Sequence, residues 1–99
     1  MAARSRRPRK SPERVIPKET LAEFVADVLD RRGLSQTEAA EIMDDAPSQV
    51  SLVVGGKVRG FSPERLLRMI SRLGHDVEIV IRKGRNGSSG KVRVVTRGG

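Results

Sequence analysis

Residues 34–57, reading LSQTEAAEIMDDAPSQVSLVVGGK, decide how this chain is read. Their spacing predicts two short helices joined by a tight turn, the second ending in a double glycine. Gln36 opens the first helix, and Ala39 and Ala40 put small residues where a second helix could cross closely. Asp44, Asp45 and Ala46 make the turn. Pro47 to Val54 then form a helix that buries Val50, Val53 and Val54 and presents Ser48, Gln49, Ser51 and Leu52 outward. A helix that buries three valines and displays small hydrogen-bonding side chains is what reading a DNA major groove requires. An ordinary helical hairpin is the plain alternative and has the same spacing.

Working outward, Leu21, Phe24, Val25, Val28 and Leu29 recur at helical spacing and predict a helix from Lys18 to Arg32, ended by Gly33. Such a stripe belongs to a core. Ser35, with Glu38 three residues on, has the arrangement of a capping box at the start of the next helix. Ser62 caps a fourth helix, with Pro63 at its first position. Leu66, Leu67, Met69, Ile70 and Leu73 make that helix apolar over more than half its circumference, more than one small domain is expected to cover, which hints at a partner subunit. Val77, Ile79 and Ile81 then alternate with Glu78, Val80 and Arg82 and predict a strand. After a glycine- and serine-rich loop, Val92, Val94 and Thr96 alternate with Arg93, Val95 and Arg97 as a possible second strand or a basic tail. A lone strand leaves backbone groups unpaired, and a lone hairpin is marginal in water, so the alternatives are an intramolecular hairpin or pairing with a symmetry mate.

Charge divides the chain into three. Residues 1–19 hold seven basic and two acidic side chains, residues 20–80 seven and ten, residues 81–99 six and none, giving +5, −3 and +6. The domain is therefore slightly acidic, and the excess positive charge lies in the tails. Its own cations fall mostly after the second helix of the pair, at Lys57, Arg59, Arg65, Arg68 and Arg72. We divide the chain into a basic, disordered arm (1–17), a helix-turn-helix domain with a C-terminal strand (18–82), and a flexible basic loop and tail (83–99). Val15 and Ile16 are the arm's apolar exception and suit a contact on the core or on a partner.

Composition excludes much else. Roughly 60–65 ordered residues lie near the lower limit for one stable core. With no cysteine, disulfides and thiolate metal sites are excluded, which fits a reducing cytoplasm, and no apolar run or signal-peptide pattern points to a membrane. Two phenylalanines, Phe24 and Phe61, are the only aromatic residues apart from His75, too few to stack unpaired bases. His75, the only histidine, has no partner for catalysis or metal binding and is expected at the surface. No nucleophile–base pair, paired carboxylates or phosphate loop appears, so we expect no enzymatic activity, cofactor or small-molecule substrate.

Several stretches stand in a telling order: Gly33-Leu34-Ser35-Gln36-Thr37-Glu38-Ala39-Ala40; Val50-Ser51 with Gly56-Lys57; Gly60-Phe61-Ser62; Glu64-Arg65-Leu66-Leu67; and Leu73-Gly74 with Asp76-Val77-Glu78-Ile79-Val80. Through them, residues 20–82 resemble the XRE (lambda-repressor-like) helix-turn-helix class, and within it the HigA-type antitoxin branch. The resemblance implies a mainly α fold: a helix-turn-helix core of about four helices, followed by a C-terminal β-strand or hairpin that pairs across a homodimer, with Val77, Ile79, Ile81 and Leu73 at the interface. It implies a cytoplasmic, bacterial or phage DNA-binding repressor, whose two recognition helices enter major grooves about 34 Å apart on a two-fold operator. Ser48, Gln49 and Ser51 are then the base readers, Pro47 and Leu52 apolar contacts, and Gln36, Lys57 and Arg59 phosphate contacts. It also implies a partner, a HigB-type ribonuclease toxin that the protein neutralises. A stand-alone or phage-type regulator would have the same helices. A protein-interaction adaptor without DNA binding is the third reading.

Two residues depart from the family pattern. Asp44 stands where a turn glycine is usual, and Asp45 where an apolar residue is usual. Aspartate enters the left-handed conformation more readily than most residues, so the turn survives. Two carboxylates beside the recognition helix stabilise its positive end but also repel phosphate, so they favour the fold and oppose tight DNA binding.

Overall fold

A computed structural model describes residues 16–84 and 89–97, and four helices make up its regular structure: α1 (Lys18–Arg32), α2 (Gln36–Met43), α3 (Pro47–Val54) and α4 (Pro63–Arg72). All four have the expected positions, because their ends are written locally. At the start of α2 the Glu38 N–H donates to Ser35 Oγ at 3.0 Å, and the Ser35 N–H donates to Glu38 Oε1 at 2.8 Å. The backbone and hydroxyl bonds from Ser35 hold the Glu38 carboxyl below its ordinary value. Its contribution to the cap is therefore present at neutral pH and is lost as pH falls through that lowered value. Ser62 Oγ accepts the Arg65 N–H at 3.1 Å and caps α4.

A left-handed residue follows every helix, directly at Gly33 and Asp44 after α1 and α2, and one residue later at Gly56 and Gly74 after α3 and α4. At α2 the Asp45 N–H reaches back to the Ala40 carbonyl at 2.9 Å and the Asp44 N–H to that of Glu41 at 3.3 Å, closing the paired bonds of a Schellman motif. Asp44 (φ 57°) is the one non-glycine residue among the described residues with positive φ. Its Cβ opposes the conformation, and its small polar side chain makes the conformation tolerable. Replacing Asp44 by alanine is expected to cost roughly 1 kcal/mol of stability in urea unfolding, whereas glycine should leave stability unchanged or slightly higher.

The core lies where α1 meets α3 and α4 and where α2 meets α3 and α4. Val25, Ala39, Val50, Val53 and Leu66 are wholly buried there, and Ala39 and Ala40 supply the small contact surface expected of α2. Val54, expected inside, is half-buried. The apolar excess of α4 does not need a partner: Leu66, Met69, Ile70 and Leu73 are all buried within the chain, and Leu67 alone is half-exposed. Val58 and Phe61, from the loop before α4, join the core and help to cover it. Leu73, expected at a dimer interface, is 3 % exposed and belongs to the chain's own interior.

Both ends of α1 are tied to distant chain. Lys18 Nζ donates to the Phe61 carbonyl at 2.9 Å and to that of Arg59 at 3.3 Å, and Arg32 Nη1 donates to the Leu73 carbonyl at 2.7 Å. Ile16 packs against the core, as its apolar character suggested, while Val15 and the residues before it lie outside the described residues. His75 is half-buried rather than at the surface: its ring meets Phe24 edge-on at 4.9 Å, and its Nδ1 is buried without a hydrogen-bond partner.

Beyond α4 the described residues form no β-ladder. Val77, Ile79 and Ile81 lie on an exposed segment, Ile79 at 75 % and Ile81 at 90 % exposure. The expected second strand is likewise unpaired, although Val94 packs against the core while Val92 and Val95 stay exposed. Residues 85–88 of the connecting loop lie outside the described residues.

Candidate nucleic-acid interface

In α3, Val50 and Val53 point into the core, so the opposite face is turned to solvent by geometry alone. Pro47, Ser48, Ser51 and Leu52 occupy it and are exposed. These positions are three and four residues apart and form one continuous helical face. Gln49 is half-buried at its margin, not wholly outward as expected. Gln36 is exposed at the first position of α2, where the positive end of a helix favours a phosphate.

The helix leads directly into a cationic loop. The Lys57 N–H donates to the Leu52 carbonyl at 2.8 Å and the Gly56 N–H to that of Val53 at 2.9 Å, with Gly56 at φ 78°. Val58 is buried between Lys57 and Arg59, both of which are exposed. Lys18, by holding the Arg59 and Phe61 carbonyls, ties the backbone at Arg59 to the start of α1, while Lys57 is held to the end of α3. Of the domain's other cations, Arg31 is paired with Asp27 at 3.1 Å, Arg32 binds the Leu73 carbonyl, and Arg65 is paired with Asp45 at 2.8 Å. Among the described residues no ion pair holds Lys57, Arg59, Arg68 or Arg72.

The turn aspartates take different parts. Asp44 is exposed and makes the left-handed bend. Asp45 is drawn inward, where one oxygen accepts both the Ala46 N–H (3.1 Å) and the Arg65 guanidinium (2.8 Å). Of the two carboxylates expected to repel phosphate, one is thus neutralised within the fold. Sequence reasoning missed this pair; the single hint was an acidic residue at a position where an apolar one is usual.

The profile of a helix-turn-helix domain matches residues 9–82, three quarters of the chain. A solved structure named as an XRE family transcriptional regulator is 40 % identical, with a TM-score of 0.76; the match covers 81 % of this chain and 91 % of that one. The chain belongs to the XRE helix-turn-helix family. None of the curated proteins matches it. In this XRE chain α2 and α3 are the short helices joined by the tight turn at Asp44. No group of three or more His, Cys, Asp or Glu side chains among the described residues could hold a metal ion, and no helix there is long and apolar enough to cross a membrane.

Proposed function

We propose that this XRE protein is a dimeric, sequence-specific repressor that binds duplex DNA through α3. The observation that carries the reading is the exposed face of Pro47, Ser48, Ser51 and Leu52, which runs directly into the exposed cations Lys57 and Arg59. Base edges are read from the helix, with Gln49 reaching in from its margin, and phosphates are held by Lys57, Arg59 and Gln36. Short Ser and Gln side chains discriminate less than arginine, so specificity is modest. Dimerisation is supported by the unpaired segment carrying Val77, Ile79 and Ile81, whose backbone groups and apolar side chains suit a ladder with a symmetry mate.

The test is binding to a duplex from upstream of its own gene against a scrambled duplex, at two salt concentrations. A preference for the first that persists at the higher salt supports the reading. Equal binding to both, vanishing as salt rises, contradicts it and leaves only the basic tails in contact with DNA. Gln49→Ala should lower the preference by roughly 1–2 kcal/mol. Lys57→Ala should weaken binding to both duplexes and reduce the salt slope by about 1. Equal loss on both duplexes in the Gln49 variant would remove that residue from the list of readers.

Within this reading we assign the protein the second role of an antitoxin that neutralises a HigB-type ribonuclease and represses the operon the two share. Its support is the stretch from Gly60 to Val80, whose residues resemble that branch more than generic repressors. Co-purification with the product of the adjacent gene, and loss of that product's ribonuclease activity in the complex, is the expected result. Operator binding with no such companion would make the protein a stand-alone regulator.

A further inference from the structure

We infer that Arg65 is a positioning residue for the recognition helix: its ion pair with Asp45 sets the angle at which the first turn of α3 meets DNA. The inference rests on the proposal that α3 reads base edges. Helices α2 and α4 each begin on a serine that accepts a backbone N–H, whereas α3 begins at Ala46 with no side-chain cap. Its start is held instead from outside, by Asp45, whose Oδ1 binds the Ala46 N–H at 3.1 Å and Arg65 Nη2 at 2.8 Å.

The guanidinium is fixed on its other side as well. It lies 4.5 Å from the centroid of the buried Phe61 ring, and the Phe61 carbonyl is in turn held by Lys18 at 2.9 Å. An unbroken series of contacts therefore runs from α1, through the loop and the first turn of α4, to the N–H of Ala46, the residue on which the recognition helix starts. The paired side chains are 33 % and 15 % exposed. An ion pair in such a place adds little net stability, but it admits few geometries, and a planar guanidinium between a carboxylate and a ring admits fewer than an ammonium. Helix α3 is only eight residues long, so a tilt at its start displaces every reading side chain. The pair also neutralises the carboxylate nearest that start.

The variants are Asp45→Asn, which keeps an acceptor for the Ala46 N–H but removes the charge, Arg65→Met, which keeps an apolar cover on Phe61, and the double variant. Each is titrated with a duplex enriched from a random-sequence pool by the wild-type protein, and with a scrambled duplex, at a temperature where circular dichroism shows it folded. Preference for the enriched duplex is expected to fall about tenfold in each single variant, the worth of one good base contact, and no further in the double variant. Binding of Asp45→Asn to the scrambled duplex should stay level or rise, a result that mere loss of stability would not give. Full preference in a folded single variant overturns the inference, as do fully additive losses in the double variant. If Arg65→Met does not fold, Asp45→Asn decides alone. No preference in the wild-type protein would overturn the reading on which the inference rests, and is told apart by being present before any substitution.

Discussion

Leu66→Ala should leave the domain largely unfolded at moderate temperature. Leu66 is 0 % exposed, in the second turn of α4, within a core shared by all four helices. Removing a buried leucine costs about 2–5 kcal/mol, the transfer term plus the cavity left behind. A domain of this size has only a few kcal/mol to lose, at roughly 0.05–0.15 kcal/mol per residue. The same change at the half-exposed Leu67 should cost less than about 1.5 kcal/mol, so the pair isolates burial from helix propensity. Urea denaturation followed by circular dichroism measures both. A loss below about 1 kcal/mol at Leu66 would mean that the surrounding helices collapse into the space, and that the core is less specified than its burial suggests.

The joint substitution Ile79→Lys, Ile81→Lys should separate folding from operator binding. Both side chains are mostly exposed in the single chain, so the monomer loses little by the change. Across a two-fold ladder, by contrast, four added lysines crowd one short segment and replace its apolar pairs. A protein that engages two half-sites as a dimer gains the second contact at high effective concentration. Losing the dimer should therefore weaken operator binding by about a hundredfold or more, with unchanged thermal unfolding at low protein concentration. Sedimentation and duplex titration provide the two readings. A variant that stays dimeric, or a wild type that is monomeric at operator-binding concentrations, would place the interface elsewhere or remove it.

What the amino-acid sequence made legible was whatever depends on neighbours within a turn or two. Ser35 with Glu38, Ser62 with Pro63, and Gly33 each mark a helix end through bonds made within a few residues, so the four helices could be bounded without knowing how they pack. Asp44 belongs to the same class, since its left-handed bend is a property of its own backbone. The outward face of α3 was legible because three valines fix its inward one, with the half-buried Val54 and Gln49 as the margin of error. The partnerships of Asp45 with Arg65, Lys18 with Phe61 and Arg32 with Leu73 were not legible. They join residues 20, 43 and 41 positions apart, and only the packing of the helices brings them together. Counting apolar residues on α4 without Val58 and Phe61 gave a surplus that the fold itself absorbs. In the C-terminal segment alternation tells which side chains share a face, but not which strand supplies the hydrogen bonds.

The two ties of α1 bear on how this protein comes into being. Lys18 and Arg32 leave the ribosome before their partners and are completed by carbonyls that emerge some forty residues later. A nascent chain that has delivered the whole helix-turn-helix pair still lacks α4 and the last closure at Leu73. The core is therefore complete only late in synthesis, and a chain halted before that point presents an open apolar stripe to proteases and chaperones.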